Sequence, residues 1–324
     1  MKNRRILVIG ASGFVGKNLV PALAARNPVT ILVRPTSNID LFKNDKSIRI
    51  RYGDLETGEG IEQALQDVDA VIHCAARTMG RTYWEFYRTN TSGTANLVRT
   101  MEGGSVRKLL YLSSHAACGP SAGSEAKKEQ HEQTPISFYG RTKKLAEDLI
   151  RNSNLSYVIV RPVSVYGPHD KEILTYIKLL NGGICPVIGY GHKYLNLIFV
   201  KDLVALIVNI IERDLFSKRT YFAHDGKCYS LHSVLDSIAS TLGKKNLKIH
   251  IPESIAMFVG LLNDALLPPQ KKLVTRDKIR ELACQAWVCS NERITEELHF
   301  KPRYSFEQGI AETIDWYRKY GFLS

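Results

Sequence analysis

The chain has 324 residues with a net charge of +12, and 44% of its residues are hydrophobic and 23% charged. This composition is typical of a folded globular protein, and it excludes the disordered, collagen-like and coiled-coil classes. The positive charges are dispersed along the sequence rather than gathered in one stripe with aromatic residues, so no dedicated nucleic-acid binding is predicted.

The cysteines and the apolar segments narrow the class further. The six cysteines show no CxxC spacing and no metal-ligand pattern with histidine, which predicts free thiols, no bound metal and a cytoplasmic protein. The longest apolar segments, Leu203 to Ile211 and Ile255 to Leu267, fall short of the ~18 residues that a membrane-spanning helix needs. The basic start of the chain and the short apolar run from Ile6 predict a first strand rather than a signal peptide.

Short β-branched runs alternate with helical patterns through the first half of the chain. Strands are predicted at Ile6–Ile9, Val29–Val33, Ile48–Arg51, Ala70–His73, Leu109–Leu112 and Tyr157–Val160, with helices at 14–26, 58–67, 84–102 and 138–152. This alternation predicts an α/β fold with a doubly wound, parallel, Rossmann-type sheet over residues 1–162. The pattern loosens beyond Pro162, so residues 163–324 are predicted to form a smaller, mainly helical lobe that closes a substrate pocket against the sheet.

Three glycines with GxxGxxG spacing follow the first predicted strand directly. Glycine permits the tight turn and the close approach of backbone to a pyrophosphate, and the helix that follows offers unpaired N–H groups to the phosphates. A strand before the glycines and a helix after them favour a dinucleotide site over a turn that binds nothing. The predicted cofactor loop comprises Gly10, Ser12, Gly13, Phe14, Val15 and Gly16.

Arg34 directly follows the second predicted strand, eighteen positions beyond Gly16, and no acidic residue lies between the two. At about this distance a dinucleotide fold places either an acidic residue on the ribose hydroxyls or an arginine on a 2′-phosphate. A guanidinium suits bidentate contact with phosphate. The sequence therefore favours NADP, with NAD as the alternative.

Tyr139 and Lys143 stand four residues apart on the helix predicted at 138–152, so their side chains emerge on one face. A phenol needs its pKa lowered by about three units to act near neutral pH, and one ammonium at ~4 Å supplies roughly that amount. Ser114 follows the strand predicted at Leu109–Leu112 and offers a hydroxyl for a substrate oxygen. We predict that Ser114, Tyr139 and Lys143 are the catalytic residues, and that the neighbouring His115 is a pocket wall and His73 is structural.

Taken together, the motifs resemble those of the extended short-chain dehydrogenase/reductase family over nearly the whole chain. The matching segments, in family order, are Gly10–Gly16, Gly53–Leu55, Val71–Ala76, Asn90–Thr94, Leu112–Ser114, Tyr139–Lys143, Arg161–Pro168 and Phe199–Asp202. The resemblance implies that Tyr139 is the acid/base, that Lys143 holds the nicotinamide ribose and lowers the tyrosine pKa, and that Ser114 orients the substrate oxygen. It also implies a homodimer formed through the helices near 84–102 and 138–152.

The same resemblance assigns further residues to the cofactor. Asp54 and Leu55 would contact adenine, Ala75 and Ala76 would contact the cofactor backbone, and Asn90 would lie beside the strand ends. Pro162 and Val163 would flank the nicotinamide.

Two departures bear on the branch of the family. Sugar-nucleotide enzymes usually show an asparagine and an arginine where this chain has Ser164 and Leu195. The end of the chain looks more like the hydroxysteroid dehydrogenase and dihydroflavonol reductase branch. The first interpretation is therefore an NADP-dependent oxidoreductase of a mainly apolar secondary alcohol or ketone. A sugar-nucleotide epimerase or dehydratase is the second, and a cofactor-binding regulatory protein without chemistry is the third.

Ile255 to Leu267 suits a pocket lid or a peripheral membrane contact, with a core-facing helix as the simpler alternative.

Overall fold

The computed structural model describes residues 4–122, 125–245, 247–266 and 275–323. The strands in these residues are β1 (Ile6–Ile9), β2 (Val29–Val33), β3 (Ile48–Tyr52), β4 (Ala70–His73), β5 (Lys108–Leu112), β6 (Ser156–Pro162), β7 (Ser164–Tyr166), β8 (Ile184–Ile188), β9 (Tyr194–Leu195), β10 (Leu197–Phe199), β11 (Arg219–Ala223), β12 (Tyr229–Ser230), β13 (Leu247–Ile251) and β14 (Ala286–Trp287).

The helices connect and cover these strands. They are α1 (Phe14–Ala24), α2 (Ile61–Leu65), α3 (Tyr83–Tyr87), α4 (Gly93–Gly103), α5 (Phe138–Arg151), α6 (Lys171–Asn181), α7 (Val200–Arg213), α8 (Leu231–Thr241), α9 (Glu253–Leu266), α10 (Arg276–Ala283), α11 (Glu292–Leu298) and α12 (Phe306–Lys319). Among these described helices, none combines the length and the apolar content that crossing a bilayer requires.

The central sheet confirms the predicted α/β Rossmann-type fold. Its described strands pair in parallel in the order β11-β6-β5-β4-β1-β2-β3. The chain order reverses at β1, which pairs with β2 on one side and β4 on the other. In an open sheet of this kind, ligands bind beyond the carboxyl ends of the strands at such a reversal.

Alternation along the strands creates two cores, one on each face of the sheet. In β1, Ile6 and Val8 belong to one core, whereas Leu7 and Ile9 belong to the other. Successive side chains of a strand point to opposite faces, and all four are buried because helices cover both faces. Because these strands are buried on both faces, their sequences are unbroken apolar runs.

The predicted helix at 84–102 is interrupted in the structure. A π-helical turn, Arg88–Ser92, separates α3 from α4. Such turns are rare and frequently lie at functional sites, and this one contains Asn90. The wider turn is not encoded in the apolar periodicity, which is why the sequence indicates one continuous helix.

The last strand of the sheet comes from later in the chain than the others. β11 pairs with β6 in parallel although the predicted boundary between the two lobes lies at residue 162. Between β6 and β11 the chain forms the small strands β7 to β10 outside the central sheet and then α7, which packs against α1, before it returns to complete the sheet. The remaining small strands pair among themselves outside the sheet. The division into lobes stays a prediction.

Candidate active site

A cleft of about 920 Å³ lies along the carboxyl ends of the central strands. It begins at the glycine loop after β1, passes the ends of β2 and β4, and reaches Ser114 after β5 and Pro162 at the end of β6. The predicted cofactor residues that line it are Gly10, Ser12, Gly13, Phe14, Val15, Gly16, Arg34, Asp54, Leu55, Ala75, Ala76, Pro162 and Val163. The fold thus brings most of the predicted cofactor set to one groove.

The glycine loop leaves room that a side chain would fill. A Cβ on Gly16 would lie 2.2 Å from the Gly10 carbonyl oxygen, so α1 could not start this close to β1 with any other residue. Gly10 has φ +98°, and its Cβ would lie 2.4 Å from the Ala75 nitrogen. α1 begins at this loop with no side-chain cap and no acidic residue in its first turn. Its N–H groups and positive dipole therefore remain available to an anion at the cleft.

Arg34 lies at the opposite end of the groove from Ser114, exposed at the carboxyl end of β2. Asp54 lies nearby after β3, where its carboxylate accepts a hydrogen bond from the Glu56 amide at 2.8 Å. Leu55 is buried and closes the floor of the groove. An exposed guanidinium beside a groove built for a dinucleotide is the arrangement that a 2′-phosphate contact requires.

Ser114 and Tyr139 meet at the inner end of the cleft. Burial raises the pKa of Tyr139 to about 12, and a side-chain hydrogen bond from Ser114 opposes that shift. The Ser114 hydroxyl also accepts a hydrogen bond from the Ala116 amide at 3.1 Å, which fixes its position. A substrate oxygen placed here would be in reach of two hydroxyl groups.

Lys143 shares a helix face with Tyr139 but does not line the cleft. Its Nζ donates to the Leu112 carbonyl oxygen at 2.8 Å and lies 4.1 Å from the centroid of the Tyr111 ring. Burial lowers the pKa of Lys143 to about 7. The expected lowering of the Tyr139 pKa is not found, because burial raises this pKa by more than the hydrogen bond from Ser114 lowers it.

Asn90 likewise lies behind the cleft wall rather than in it. Its amide accepts a hydrogen bond from the Arg77 nitrogen at 2.8 Å and donates to the Thr142 hydroxyl at 3.1 Å. It therefore joins the loop after β4 to α5, the helix that carries Tyr139. Its place in the structure suits positioning better than direct contact with a cofactor.

α10 contacts the start of α5, the helix that carries Tyr139, and no sequence motif predicts this contact. The Asp277 carboxylate accepts a hydrogen bond from the Phe138 amide at 2.7 Å, and the Ser137 hydroxyl donates to Glu281 at 2.6 Å. Lys278 is held between Glu172 and Glu281, at 3.0 and 3.7 Å. The two hydrogen bonds to the start of α5 join residues about 140 positions apart, and no local motif predicts them.

The substrate end of the cleft differs from the expectation in one element. Ser114, the predicted pocket-wall residue His115 and residues 77–79 and 163–165 line it. The described part of Ile255 to Leu267 does not line it, and Leu267 lies outside the described residues. α10 takes that place, because α9 packs on its far side. The apolar residues on the substrate side are Val163, Val165, Leu195, Leu231, Leu282 and Trp287.

The two histidines near the site are buried. His73 Nε2 lies 2.9 Å from the Thr94 hydroxyl inside the sheet, consistent with the structural role predicted for it. His115 lies in the cleft wall with its ring edge-on to Phe222 and Trp287. Burial lowers the pKa of each histidine to about 3, so both rings are neutral near pH 7.

Together these features fit a nicotinamide dinucleotide and an oxygen-bearing substrate. The glycine loop and the start of α1 would hold the phosphates, Pro162 and Val163 would face the nicotinamide, and Ser114 and Tyr139 would hold the substrate oxygen. A substrate held in this way would have its reacting carbon within reach of the hydride that a bound nicotinamide supplies.

Comparison with known proteins gives the same picture. The sequence pattern of the NAD dependent epimerase/dehydratase family matches residues 6–221. Ceramide reductase of Caulobacter vibrioides is 28% identical, over 98% of this chain and 96% of that protein. UDP-glucose 4-epimerase of Vibrio cholerae is 29% identical, over 96% and 94%. The structure of dTDP-glucose 4,6-dehydratase from Bacillus anthracis, in complex with NAD, superposes with a TM-score of 0.79 at 21% identity, over 98% of this chain and 97% of that one.

Proposed function

The chain belongs to the NAD dependent epimerase/dehydratase family, and from that premise we propose that it interconverts a secondary alcohol and a ketone on a mainly apolar small molecule with NADP. It is an NAD(P)-dependent oxidoreductase of the extended short-chain dehydrogenase/reductase type. The proposal concerns the substrate class and the choice of NADP. The observation that carries it is a group of apolar side chains beside the Ser114–Tyr139 pair, with Val163, Leu195 and Trp287 among them, in a part of the cleft that also holds charged residues of α6 and α10.

The polar groups of the substrate side argue against a diphosphate. Leu195 lines the cleft where sugar-nucleotide relatives usually carry an arginine, and no arginine is among the described lining residues beyond Pro162. Of the three lysines that line this part of the cleft, Lys193 donates through Nζ to the Leu282 carbonyl oxygen and Lys278 pairs with two carboxylates, which leaves the exposed Lys171 as the remaining cationic donor among the described lining residues. A diphosphate needs charge-assisted donors, and each one missing costs about 1.5–3 kcal/mol.

A relative supports the same class of substrate. Ceramide reductase, by its name, acts on a long-chain lipid, and it matches almost the whole chain. We therefore include long-chain lipid ketones with the steroid-, terpenoid- and flavonoid-like compounds. The NADP preference rests on Arg34 at the rim of the groove.

The roles proposed for the chain's own side chains follow from their positions. A bound nicotinamide supplies or accepts the hydride. Tyr139 Oη donates its proton to the substrate oxygen during reduction, and a pKa of about 12 keeps that proton in place at neutral pH. Ser114 holds the same oxygen by a hydrogen bond. Lys143 lies at the back of the site, and because burial lowers its pKa to about 7, only its protonated fraction would favour the ionised phenol when the reaction runs toward the ketone.

A sugar-nucleotide epimerase or dehydratase is the second candidate, favoured by the 29% identity to UDP-glucose 4-epimerase. The two differ in net turnover. A dehydrogenase consumes one cofactor per product, so the nicotinamide absorbance changes, whereas an epimerase returns the hydride and the absorbance stays constant. We also propose a cytoplasmic location, which the cysteine pattern favours, and a homodimer, which the resemblance implies and sedimentation would test.

The decisive experiment combines binding and turnover. Sterol, terpenoid, flavanone and long-chain lipid ketones and uridine or thymidine diphosphosugars would be titrated calorimetrically into NADP-loaded protein. We expect at least tenfold tighter binding of the apolar compounds, a gap of about 1.4 kcal/mol. Leu195→Arg should reduce this difference in affinity between the apolar compounds and the nucleotide sugars. Micromolar binding of a nucleotide sugar, without response to any apolar carbonyl, would reverse the order of the two candidates.

A further inference from the structure

Helix α9 is apolar on both of its long sides. On one side Ala256 is buried, and Gly260 packs so closely on α10 that a Cβ there would lie 2.6 Å from Ile279 Cδ1. The other side carries six apolar side chains that are between 42% and 75% exposed. These residues, named here the apolar helix face, are Ile255, Phe258, Val259, Leu261, Leu262 and Leu266.

The spacing of these residues gathers them into one stripe. At about 100° per residue they fall within less than half of the helix circumference, centred opposite Ala256 and Gly260. No charged residue of the sequence falls within the stripe. Single exposed apolar side chains are ordinary, but a continuous stripe of this size indicates a contact surface.

The exposed apolar surface continues into the strands that precede the helix. Leu247 and Ile249 of β13 are 68% and 42% exposed. Ile184 of β8 pairs in register with Leu247 and is also exposed. Only Pro252 separates β13 from α9, so the strand and helix surfaces are neighbours.

Charge distinguishes the occupants that could cover this surface. Lys244 and Lys245 are exposed directly before β13, and the whole chain carries a net charge of +12. A second copy of the chain would bring like charges together across a symmetric contact. A bilayer with anionic headgroups offers both an apolar layer for the helix and negative charge for the lysines.

We propose that the apolar helix face docks on the surface of an anionic lipid bilayer. At about 1.5 Å per residue, the 14 residues of α9 reach about 21 Å, less than the ~30 Å of the hydrocarbon layer. The helix therefore lies in the plane of the interface, with its apolar side chains among the upper acyl chains.

The docking surface stands next to the active-site cleft. α9 packs on α10, and α10 contributes Asp277, Lys278, Glu281 and Leu282 to the cleft lining. Docking would hold the substrate side of the cleft close to the layer into which apolar molecules partition. The inference itself does not depend on the substrate, because it rests on the exposed surface alone.

Vesicle co-sedimentation of the full chain tests the proposal without any turnover. Vesicles of phosphatidylcholine containing about a quarter phosphatidylglycerol should retain the protein, and pure phosphatidylcholine should retain it more weakly. Leu262→Gln should weaken binding several-fold, and Phe258→Gln/Leu262→Gln by about tenfold or more. Leu41→Gln replaces a leucine outside the apolar helix face that is 53% exposed, against 42% for Leu262; it is the matched control and should leave binding unchanged.

Two further arms separate the alternatives. Lys244→Gln/Lys245→Gln should reduce binding to the anionic vesicles and leave binding to neutral vesicles nearly unchanged. Sedimentation velocity without lipid should give the same oligomeric state for the wild type and Phe258→Gln/Leu262→Gln. The proposal is wrong if the wild-type protein does not bind anionic vesicles, or if Leu41→Gln and Leu262→Gln weaken vesicle binding equally. It is also wrong if Phe258→Gln/Leu262→Gln changes the oligomeric state, because that result would assign the apolar helix face to a contact with a second copy. Any of these results leaves the proposed oxidoreductase activity intact.

Discussion

Arg161 and Glu147 form an ion pair withdrawn from solvent: Nη2 lies 2.6 Å from Oε2, and neither side chain is more than 1% exposed. The Ser113 hydroxyl also donates to Glu147, at 2.5 Å. Burial raises the pKa of Glu147, but Arg161 outweighs it and the net shift is downward. The pair ties the ends of β5 and β6 to α5, and so fixes Ser114, Pro162 and Lys143 relative to one another.

Breaking this pair should destabilise the protein strongly. Arg161→Met leaves the Glu147 carboxylate buried with Arg151 and the hydrogen-bond donors Ser113 and Gln133 beside it, which should lower the free energy of unfolding by about 3–5 kcal/mol. Urea unfolding followed by circular dichroism measures it. Arg5→Met, which breaks the exposed pair with Asp69, is the control and should change the unfolding midpoint little. An equal effect of both changes would contradict the argument.

Arg34→Ala tests the choice of cofactor. If its guanidinium contacts a 2′-phosphate, the change should weaken the binding of NADPH by about 1.5–3 kcal/mol and leave the binding of NADH almost unchanged. Fluorescence titration of both cofactors decides it. Arg49→Ala, an exposed arginine of β3 that does not line the cleft, should affect neither. Equal losses for the two cofactors, or a wild type that prefers NADH, would reject the NADP assignment.

Tyr139→Phe removes one hydroxyl from the catalytic pair. Turnover should fall at least about 100-fold, the low end for general acid–base catalysis, while the cofactor Kd stays nearly constant. Steady-state rates and cofactor titrations measure the two effects separately. Tyr87→Phe, a tyrosine of α3 that does not line the cleft, should keep the wild-type rate. Near-normal turnover of Tyr139→Phe would assign the proton to another residue.

Lys143→Met should reduce both turnover and cofactor affinity, each by about tenfold or more. It removes the ribose contact that the family resemblance implies and the charge that favours the ionised phenol. Lys144→Met is the matched control, because the neighbouring lysine points to the surface and pairs with Asp148 at 2.9 Å. A fall in turnover alone, at constant cofactor Kd, would exclude the ribose contact.

Asp170 should make stability depend on pH. Burial raises the pKa of Asp170 to about 7, above the ordinary ~3.9, so between these values the folded state holds a proton that the unfolded state has lost. Stability from this group therefore falls as pH rises from about 4 to about 7. The side chain of Asn can still cap α6, so at pH 8 the free energy of unfolding of Asp170→Asn should exceed that of the wild type by about 1–4 kcal/mol. This difference should disappear near pH 4. Thermal unfolding across this range checks it, and exposed Asp315→Asn should show no such trend.

The sequence by itself determined the first half of the fold closely. The strands at Ile6–Ile9, Val29–Val33 and Ala70–His73 have the predicted bounds, because a strand buried on both faces is an unbroken apolar run. The glycine loop could also be predicted from the sequence, because the close approach of α1 to β1 leaves no room for a Cβ. Tyr139 and Lys143 follow from local spacing on one helix.

Tertiary structure decided the features whose partners are distant in sequence. The contact of Asp277 with the start of α5 and the pairing of Arg161 with Glu147 join separate elements, and neither leaves a periodic trace. The same cause explains α9. The apolar residues of α9 predict only that part of the helix is buried. The position of α10 decides which side of α9 is covered and which side is exposed.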